Sequence, residues 1–214
     1  AHFPTGSRLH QRGWQLAAAW RAFLLPYLEQ QALYDTLGLA EHGGVSRPDL
    51  ATIDLYRCPS VDADPVRSNY VGVSGAYGHG EVILPAAFWG DIYASGLLYP
   101  TSATTLAQVV DGTSQTLAVG EQVAVSRAWW AGATWEVAQP PPALPREIST
   151  EASRNLRYRL NDFSVPQRPN HRVFSSRHPG GAQFVFVDGH VAWIADDADF
   201  VVLQRQATIA GDQP

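Results

Sequence analysis

The chain is 214 residues long, which is enough for one domain with a hydrophobic core and short for two. Hydrophobic residues make up 45% of it and charged residues 16%, a composition that excludes a disordered tail, a coiled coil and a collagen-like rod. The net charge of −5 argues against a nucleic-acid-binding protein, because such proteins normally carry a basic surplus. We therefore treat residues 1–214 as a single globular domain with no nucleic acid among its expected partners.

The first regular element expected is a helix. Large apolar residues recur at helical spacing from Trp20 to Tyr34, and Gly38 provides a stop. Pro26 interrupts this pattern, so the helix is predicted either to kink there or to begin near it. Residues 41–65 are rich in Gly and Pro, which is typical of a loop.

About six strands are expected in the rest of the chain, because short runs there are rich in β-branched and aromatic residues. These runs are Asn69–Ser74, Glu81–Leu84, Gly96–Tyr99, Gln115–Glu121, Ala128–Val137 and the two halves of Gln183–Ile194. Other segments are predicted as a short helix or turn (Thr104–Val110), an extended surface loop (Gln139–Pro145), a polar loop or short surface helix (Glu151–Leu160) and a terminal helix (Asp199–Gln206). Strands that are mostly adjacent in sequence predict an α+β fold with an antiparallel sheet.

The clearest local signal is a hairpin at Gln183–Ile194. Apolar residues alternate on both sides of Asp188-Gly189, a pair that favours a two-residue type I′ turn. His178, Asp188 and His190 lie near this hairpin and could supply two or three ligands of a metal site. Their spacing matches no known zinc motif, and Cys58 has no Cys-x-x-Cys partner, so we favour a structural role in which His178 fixes the start of the strand and Asp188 accepts backbone N–H groups across the turn.

Acidic residues after the hairpin offer a weak calcium hypothesis. Asp196, Asp197 and Asp199, together with Asp188, carry oxygen ligands of the kind that Ca²⁺ prefers. They lack the spacing of a calcium loop, and a solvated helix start explains the later three equally well. We therefore expect no cofactor, with calcium as the open alternative.

Catalytic patterns are weak. Ser74 lacks the glycine that would complete a nucleophile elbow, and Cys58 has no catalytic signature around it. We expect a protein that is not an enzyme and has no catalytic residues.

Three tryptophans stand out as possible stacking residues: Trp129, Trp130 and Trp135. Neighbouring strand positions face opposite sides, so one of Trp129 and Trp130 is expected in the core and the other near the surface. An exposed ring there could stack on a glycan or contact another protein.

Six segments in order resemble one family. They are His2–Pro4, Trp20–Gln31, Cys58–Ser60, Asn69–Gly75, Asp111–Glu121 and Ser175–Gly189. The last contains a histidine, nine residues and Asp-Gly, formed by His178 and Asp188-Gly189. The chain resembles the large group of pilin-like secreted proteins that is abundant in planctomycetes and has long been classed as a domain of unknown function.

The resemblance implies a type IV pilin or pseudopilin-like head, with an N-terminal helix packed on an antiparallel sheet, long loop insertions and a C-terminal hairpin. Such proteins carry a leader cut by a prepilin peptidase and then a long apolar helix, which this sequence does not contain. It implies an exported head in the cell envelope or on the cell surface, anchored in the full-length form. The removed helix joins it to other pilin-like subunits and provides its only contact with the membrane, while the head supplies lateral contacts and the exposed filament surface. Related pseudopilins use calcium to fix a C-terminal loop. The resemblance leaves open whether Cys58 has a partner in the removed part.

Two functions follow as expectations. The first is a non-enzymatic pilin- or pseudopilin-like subunit of an envelope filament or a type II secretion-like apparatus, in which His178, Asp188 and Gly189 lock the terminal hairpin. The alternative is an extracellular module on the cell surface that binds a glycan or another solute through the exposed tryptophan.

Overall fold

A computed structural model describes residues 2–8, 17–39, 52–62, 66–84, 89–123, 128–137 and 145–211; for residues 84, 134–137 and 145–148 the description covers the backbone alone. The centre of the fold is a five-stranded sheet with the order β7-β1-β4-β8-β9. Its strands are β1 (Tyr70–Ala76), β4 (Leu117–Glu121), β7 (Ser153–Leu156), β8 (Gly181–Phe186) and β9 (Val191–Ala195). All neighbours pair antiparallel except β1 and β7, which are parallel. The predicted α+β class is therefore confirmed, and the sheet is mostly antiparallel.

Two small hairpins stand outside the central sheet. One pairs β2 (Val82–Leu84) with β3 (Ile92–Tyr93), and the other pairs β5 (Ala133–Val137) with β6 (Pro145–Thr150). The predicted strand at Gly96–Tyr99 is wrong: this segment makes two backbone hydrogen bonds beside β1 and buries Leu97 and Leu98 without forming a ladder. Most of the predicted surface loop Gln139–Pro145 lies outside the described residues, and Pro145 begins β6.

The helix expected near the N-terminus is broken into three short pieces. These are α1 (Trp20–Phe23), a 3-10 helix (Leu25–Leu28) and α2 (Gln31–Thr36). Pro26 lies in the first turn of the 3-10 helix, and Glu29 ends that helix with a φ of 59°. The proline removes a backbone donor in mid-pattern, so one continuous helix cannot form. In the described part of the chain, helices fall short of the length and apolarity needed to cross a bilayer.

The two faces of the sheet pack against different elements. On one face, α3 (Phe200–Gln206) places Leu203 against Val71, Val73 and Phe184. On the other face, Trp20 of α1 packs with Leu98 and Ala118. Gly72 of β1 points to this second side, since a Cβ atom there would lie 2.9 Å from Leu98 Cβ and 3.1 Å from Trp20 Nε1. An N-terminal helix thus lies on the sheet, although it is a single turn.

The segment Glu151–Leu160 corrects the sequence prediction. It contains β7, a buried strand, in place of a polar loop or surface helix. Most of its buried polar atoms have partners inside the protein: Asn155 Oδ1 accepts the Tyr93 N–H at 3.1 Å, and Asn155 Nδ2 donates to the Tyr93 carbonyl at 3.0 Å. Arg154, fully buried, contacts the Glu151 carboxylate at 3.2 Å. A buried polar residue with hydrogen-bond partners looks like a surface residue in the sequence, because the sequence does not show which partners it has.

The C-terminal hairpin forms as predicted, but its turn differs from the one expected. The Gly189 N–H donates to the Phe186 carbonyl at 2.9 Å, which makes Val187 and Asp188 the central residues of the turn. Gly189 has a φ of 91°, and Asp188 is not among the described residues with positive φ. This is a type I turn followed by a left-handed glycine, in a three-residue loop, rather than a two-residue type I′ turn.

Candidate functional site

Three side chains with metal-binding atoms converge beside the end of β4. Cys58 Sγ lies 3.6 Å from His178 Nε2, and Glu121 Oε1 lies 3.7 Å from the same nitrogen. Their ligand atoms all lie within 4.8 Å of one another. We call Cys58, Glu121 and His178 the Cys–Glu–His cluster. Among the described residues, it is the only group of three or more His, Cys, Asp or Glu side chains brought so close.

Cys58 is placed by a turn and by an asparagine. The Val61 N–H donates to the Cys58 carbonyl at 3.0 Å, with Pro59 at the second position of this turn, where its fixed φ is favoured. The Cys58 N–H donates to Asn69 Oδ1 at 3.0 Å. Asn69 precedes β1, so its side chain ties the cysteine loop to the sheet. The thiol is 3% exposed.

Glu121 is the last residue of β4, and its side chain is oriented by the neighbouring strand. The Gln183 N–H of β8 donates to Glu121 Oε2 at 2.8 Å, which leaves Oε1 toward His178. The Ser175 N–H donates to the Glu121 carbonyl at 2.9 Å, so the segment before β8 is fixed to the same strand end. The carboxylate is buried, with Glu121 only 4% exposed.

His178 lies in the segment that leads into β8. Its N–H donates to Ser176 Oγ at 3.1 Å, and the Ser176 N–H donates to Asn161 Oδ1 at 2.8 Å. The ring packs edge-on against Trp193 of β9, with the ring centroids 6.3 Å apart. The imidazole is 34% exposed and is therefore the solvent side of the cluster.

Tyr70 flanks the cluster from β1, where it pairs with Glu121. Burial raises the pKa of the Tyr70 phenol, and the negative charges available to Cys58 and Glu121 raise it further. The phenol of Tyr70 therefore lies close enough to Cys58 and Glu121 to be affected by their charge.

The predicted signature residues separate in the structure. Asp188 and Gly189 are in the hairpin turn, where Asp188 Oδ1 accepts the His190 N–H at 3.1 Å, as expected for a carboxylate that bridges a turn. The same oxygen lies 2.6 Å from His190 Nδ1, and these hydrogen bonds lower the pKa of Asp188. His178 belongs to the Cys–Glu–His cluster.

The acidic calcium candidates have other contacts. Asp199 caps α3 by accepting the Val201 and Val202 N–H groups, as a helix-start residue should. Asp196 Oδ1 accepts from Asn161 Nδ2 at 2.7 Å, and Asp197 is exposed. Within the described part of the chain these carboxylates do not come together as a three-ligand site.

The predicted stacking residues are not on the surface. Trp129 and Trp130 are both buried, and their rings meet edge to face at 5.5 Å. They occupy a turn before β5, so the alternation of a strand does not apply and the expectation that one is exposed is wrong. The side chain of Trp135 lies outside the described residues. Among the tryptophans whose side chains are described, the exposed one is Trp193, at 46%.

Glu121 and Cys58 were not identified as site residues from the sequence. The three cluster residues are too far apart in the sequence to form a recognisable motif, and Glu121 is indistinguishable there from the ordinary last residue of a strand. One signal was present: Cys58, Glu121 and His178 each lie within a different segment of the family resemblance. When segments match one family and local structure does not explain all of their residues, those residues are candidates for contact with one another in the fold.

Comparison with known proteins gives one match. A family model described as "Protein of unknown function (DUF1559)" matches residues 1–200. No curated protein and no solved structure matches the chain.

Proposed function

The chain belongs to the DUF1559 family of bacterial proteins of unknown function, and we propose that it is the head of a non-enzymatic pilin- or pseudopilin-like subunit. In this proposal the head is exported, lies in the cell envelope or on the cell surface, and serves a filament or a type II secretion-like apparatus. An apolar helix that precedes the head joins it to the membrane and to other subunits. The observation that carries the proposal is the close packing of the N-terminal segment and α1 against the body of the domain.

The N-terminal segment lies tightly against the body of the domain. The Phe3 N–H donates to the Thr104 carbonyl at 2.8 Å, and the Thr101 N–H donates to the Ser7 carbonyl at 2.9 Å. Gly6 allows the close approach, since a Cβ atom there would lie 2.4 Å from the Leu98 carbonyl oxygen. A helix joined to this segment would therefore not swing freely relative to the head.

Arg21 fixes α1 to the sheet. Its guanidinium is fully buried and donates to the carbonyls of Trp129 at 2.7 Å, Tyr70 at 2.6 Å and Glu151 at 3.4 Å. Burial lowers the pKa of Arg21 to about 10, which still leaves it charged at neutral pH. One side chain thus joins α1 to β1, to the turn before β5 and to the segment before β7.

This arrangement suits a subunit that transmits force. In a filament, load passes from the assembly helix into the head, and a loosely tethered head would detach from its neighbours. Three charge-assisted hydrogen bonds from one buried arginine resist such motion better than apolar contacts, because they also fix direction.

The reading frame upstream of Ala1 tests the proposal. A prepilin-type site of the Gly-Phe-Thr-Leu-x-Glu kind, followed by about 20 apolar residues, is expected. Mass spectrometry of the mature protein from the native cells should show cleavage at that site, with the apolar helix retained. An ordinary secretory signal cut directly before Ala1 would overturn the filament role.

Trp193 favours a second candidate, the glycan- or solute-binding module. Its half-exposed ring lies on the edge strand β9, where it could stack on a sugar. Tryptophan fluorescence during titration with a polysaccharide panel tests this, with Trp193→Phe as the variant. A ligand-dependent change that Trp193→Phe abolishes would support the module, and no change with any ligand would reject it.

A further inference from the structure

We propose that the Cys–Glu–His cluster is a binding site for a divalent transition-metal ion, with zinc as the ion it fits best. Cys58 Sγ, His178 Nε2 and Glu121 Oε1 would be its three protein ligands. The fourth position of a tetrahedral ion would lie on the solvent side, next to the His178 ring. The inference uses none of the contacts on which the proposed function rests, so the two proposals are tested separately.

The distances match a coordinated ion. Zinc binds sulfur at about 2.3 Å and nitrogen at about 2.0–2.1 Å, so a tetrahedral angle between them separates the two ligands by about 3.6 Å. The Cys58 Sγ to His178 Nε2 distance is 3.6 Å. With edges of 3.6 and 3.7 Å and a third of at most 4.8 Å, the point equidistant from all three atoms is no more than about 2.4 Å from each.

The charges balance when the ion is present. A thiolate, a carboxylate and a neutral imidazole together carry −2, which a divalent ion neutralises. Without it, the buried Glu121 carboxylate has His178 as the only potential cation within 4 Å among the described residues. A buried carboxylate with an incomplete partner is costly, and an ion removes that cost.

The geometry does not fit a cysteine nucleophile with a histidine base. In such a triad the carboxylate holds one ring nitrogen and the nucleophile faces the other. Here Cys58 Sγ and Glu121 Oε1 both face Nε2 of His178. The thiol is also 3% exposed, which leaves a substrate little access. This arrangement, with three ligand atoms around one point, is typical of a metal-ion site.

The donor set selects the kind of metal. Calcium and magnesium take oxygen ligands, and this cluster offers one oxygen beside a sulfur and a nitrogen. Thiolate with imidazole suits zinc. A further oxygen supports the assignment: Glu121 Oε2 accepts the Gln183 N–H at 2.8 Å, the type of outer contact that fixes a ligating carboxylate.

The test uses the reduced, metal-free protein and two probes. Zinc is titrated by calorimetry, and cobalt is titrated by absorption, because a cobalt–thiolate bond gives a charge-transfer band. The variants are Cys58→Ser, Glu121→Gln and His178→Gln. His190→Gln is the matched control, since His190 is a partly exposed histidine of the C-terminal hairpin and lies outside the cluster. Circular dichroism of each metal-free variant verifies that it is folded; if Cys58→Ser does not fold, the more exposed His178→Gln serves instead.

One zinc ion per chain is expected in the calorimetric titration. In the cobalt titration, the cobalt–thiolate band should be present in the wild type and in His190→Gln. Cys58→Ser should abolish the band, and each of the other two cluster variants should weaken zinc binding by more than the roughly 10–100-fold typical of an outer-shell contact. Failure of the folded wild type to bind zinc would overturn the proposal. So would zinc binding that the folded cluster variants leave unchanged.

Discussion

Cys58 Sγ lies 3.6 Å from Nε2 of His178, although 120 positions separate the two residues in the chain. The contact brings together two segments of the family resemblance, the one around Cys58-Pro59 and the one around His178-Pro179. Cys58 is the only cysteine of this sequence. Its contact with His178 gives the thiol a partner within the described part of the chain. The free thiol, the buried carboxylate of Glu121 and the half-exposed imidazole form one site.

Zinc should raise the thermal stability of the protein. An ion that binds only the folded state stabilises it by about 2.7 kcal/mol when present at 100 times its dissociation constant. For a chain of 214 residues this corresponds to a rise in Tm of about 5–11 °C. Differential scanning calorimetry with zinc and with a chelator measures the difference. Cys58→Ser, compared under the same two conditions, should show little shift, and an equal shift in that variant would place the stabilising ion elsewhere.

Arg21→Lys should destabilise the fold strongly. Lysine cannot span the carbonyls of Trp129, Tyr70 and Glu151 that the guanidinium reaches, and the loss of a hydrogen bond from a charged donor costs about 1.5–3 kcal/mol. A loss of about 3 kcal/mol or more in the free energy of unfolding is expected from urea denaturation. The exposed Arg205→Lys is the control and should change stability by less than about 0.5 kcal/mol. Equal effects of the two changes would show that Arg21 does not fix α1.

His171 should make the protein less stable as the pH falls. Burial lowers its pKa from 6.5 to about 4, while Nε2 contacts the Asp91 carbonyl at 2.7 Å and Nδ1 lies 2.7 Å from Arg157 Nη1. Between those two pKa values the unfolded chain binds a proton that the folded chain does not, so the free energy of unfolding decreases as the pH drops through this window. The full contribution is present above about pH 6.5, and about 3 kcal/mol of it is lost by pH 4.

Urea denaturation at several pH values measures this loss. His171→Gln should flatten the decrease between pH 6.5 and 4, whereas the exposed His2→Gln should leave it as in the wild type. An unchanged slope in His171→Gln would mean that other groups carry the pH dependence.

Gly189 should tolerate asparagine better than valine. Its φ of 91° is strained for an L residue, and nothing lies within 4 Å of a Cβ atom built there, so the effect is one of backbone conformation alone. Valine should cost about 1–3 kcal/mol, and asparagine less, because asparagine visits positive φ more readily. Thermal unfolding of both variants checks the order. Equal stability of Gly189→Val and the wild type would contradict the turn described above.

The sequence predicted elements whose cause is local. The alternating apolar residues around Asp188-Gly189 predict β8 and β9, and Asp199 predicts the start of α3. The turn type was wrong because Asp-Gly also serves a type I turn with a left-handed glycine, and the choice depends on strand pairing. The sequence does not predict β7, because the polar residues Arg154 and Asn155 find their partners Glu151 and Tyr93 only in the folded protein.

The sequence singles out His178 and predicts that it fixes the start of β8, which stays a prediction. In the structure the ring of His178 faces Cys58 and Glu121. No spacing rule could join three residues that lie about 60 positions apart. They meet because Asn69 ties the cysteine loop to β1, and because β4 pairs with both β1 and β8. The antiparallel sheet, which the sequence did predict, is what brings them together.

Anomalous X-ray diffraction from crystals of the zinc-loaded protein, recorded above and below the zinc absorption edge, tests the central claim most directly. The Cys–Glu–His cluster predicts one strong peak about 2.0–2.3 Å from Cys58 Sγ, Glu121 Oε1 and His178 Nε2. A folded protein with no peak between these three atoms, or with its zinc bound only at other residues, would contradict it.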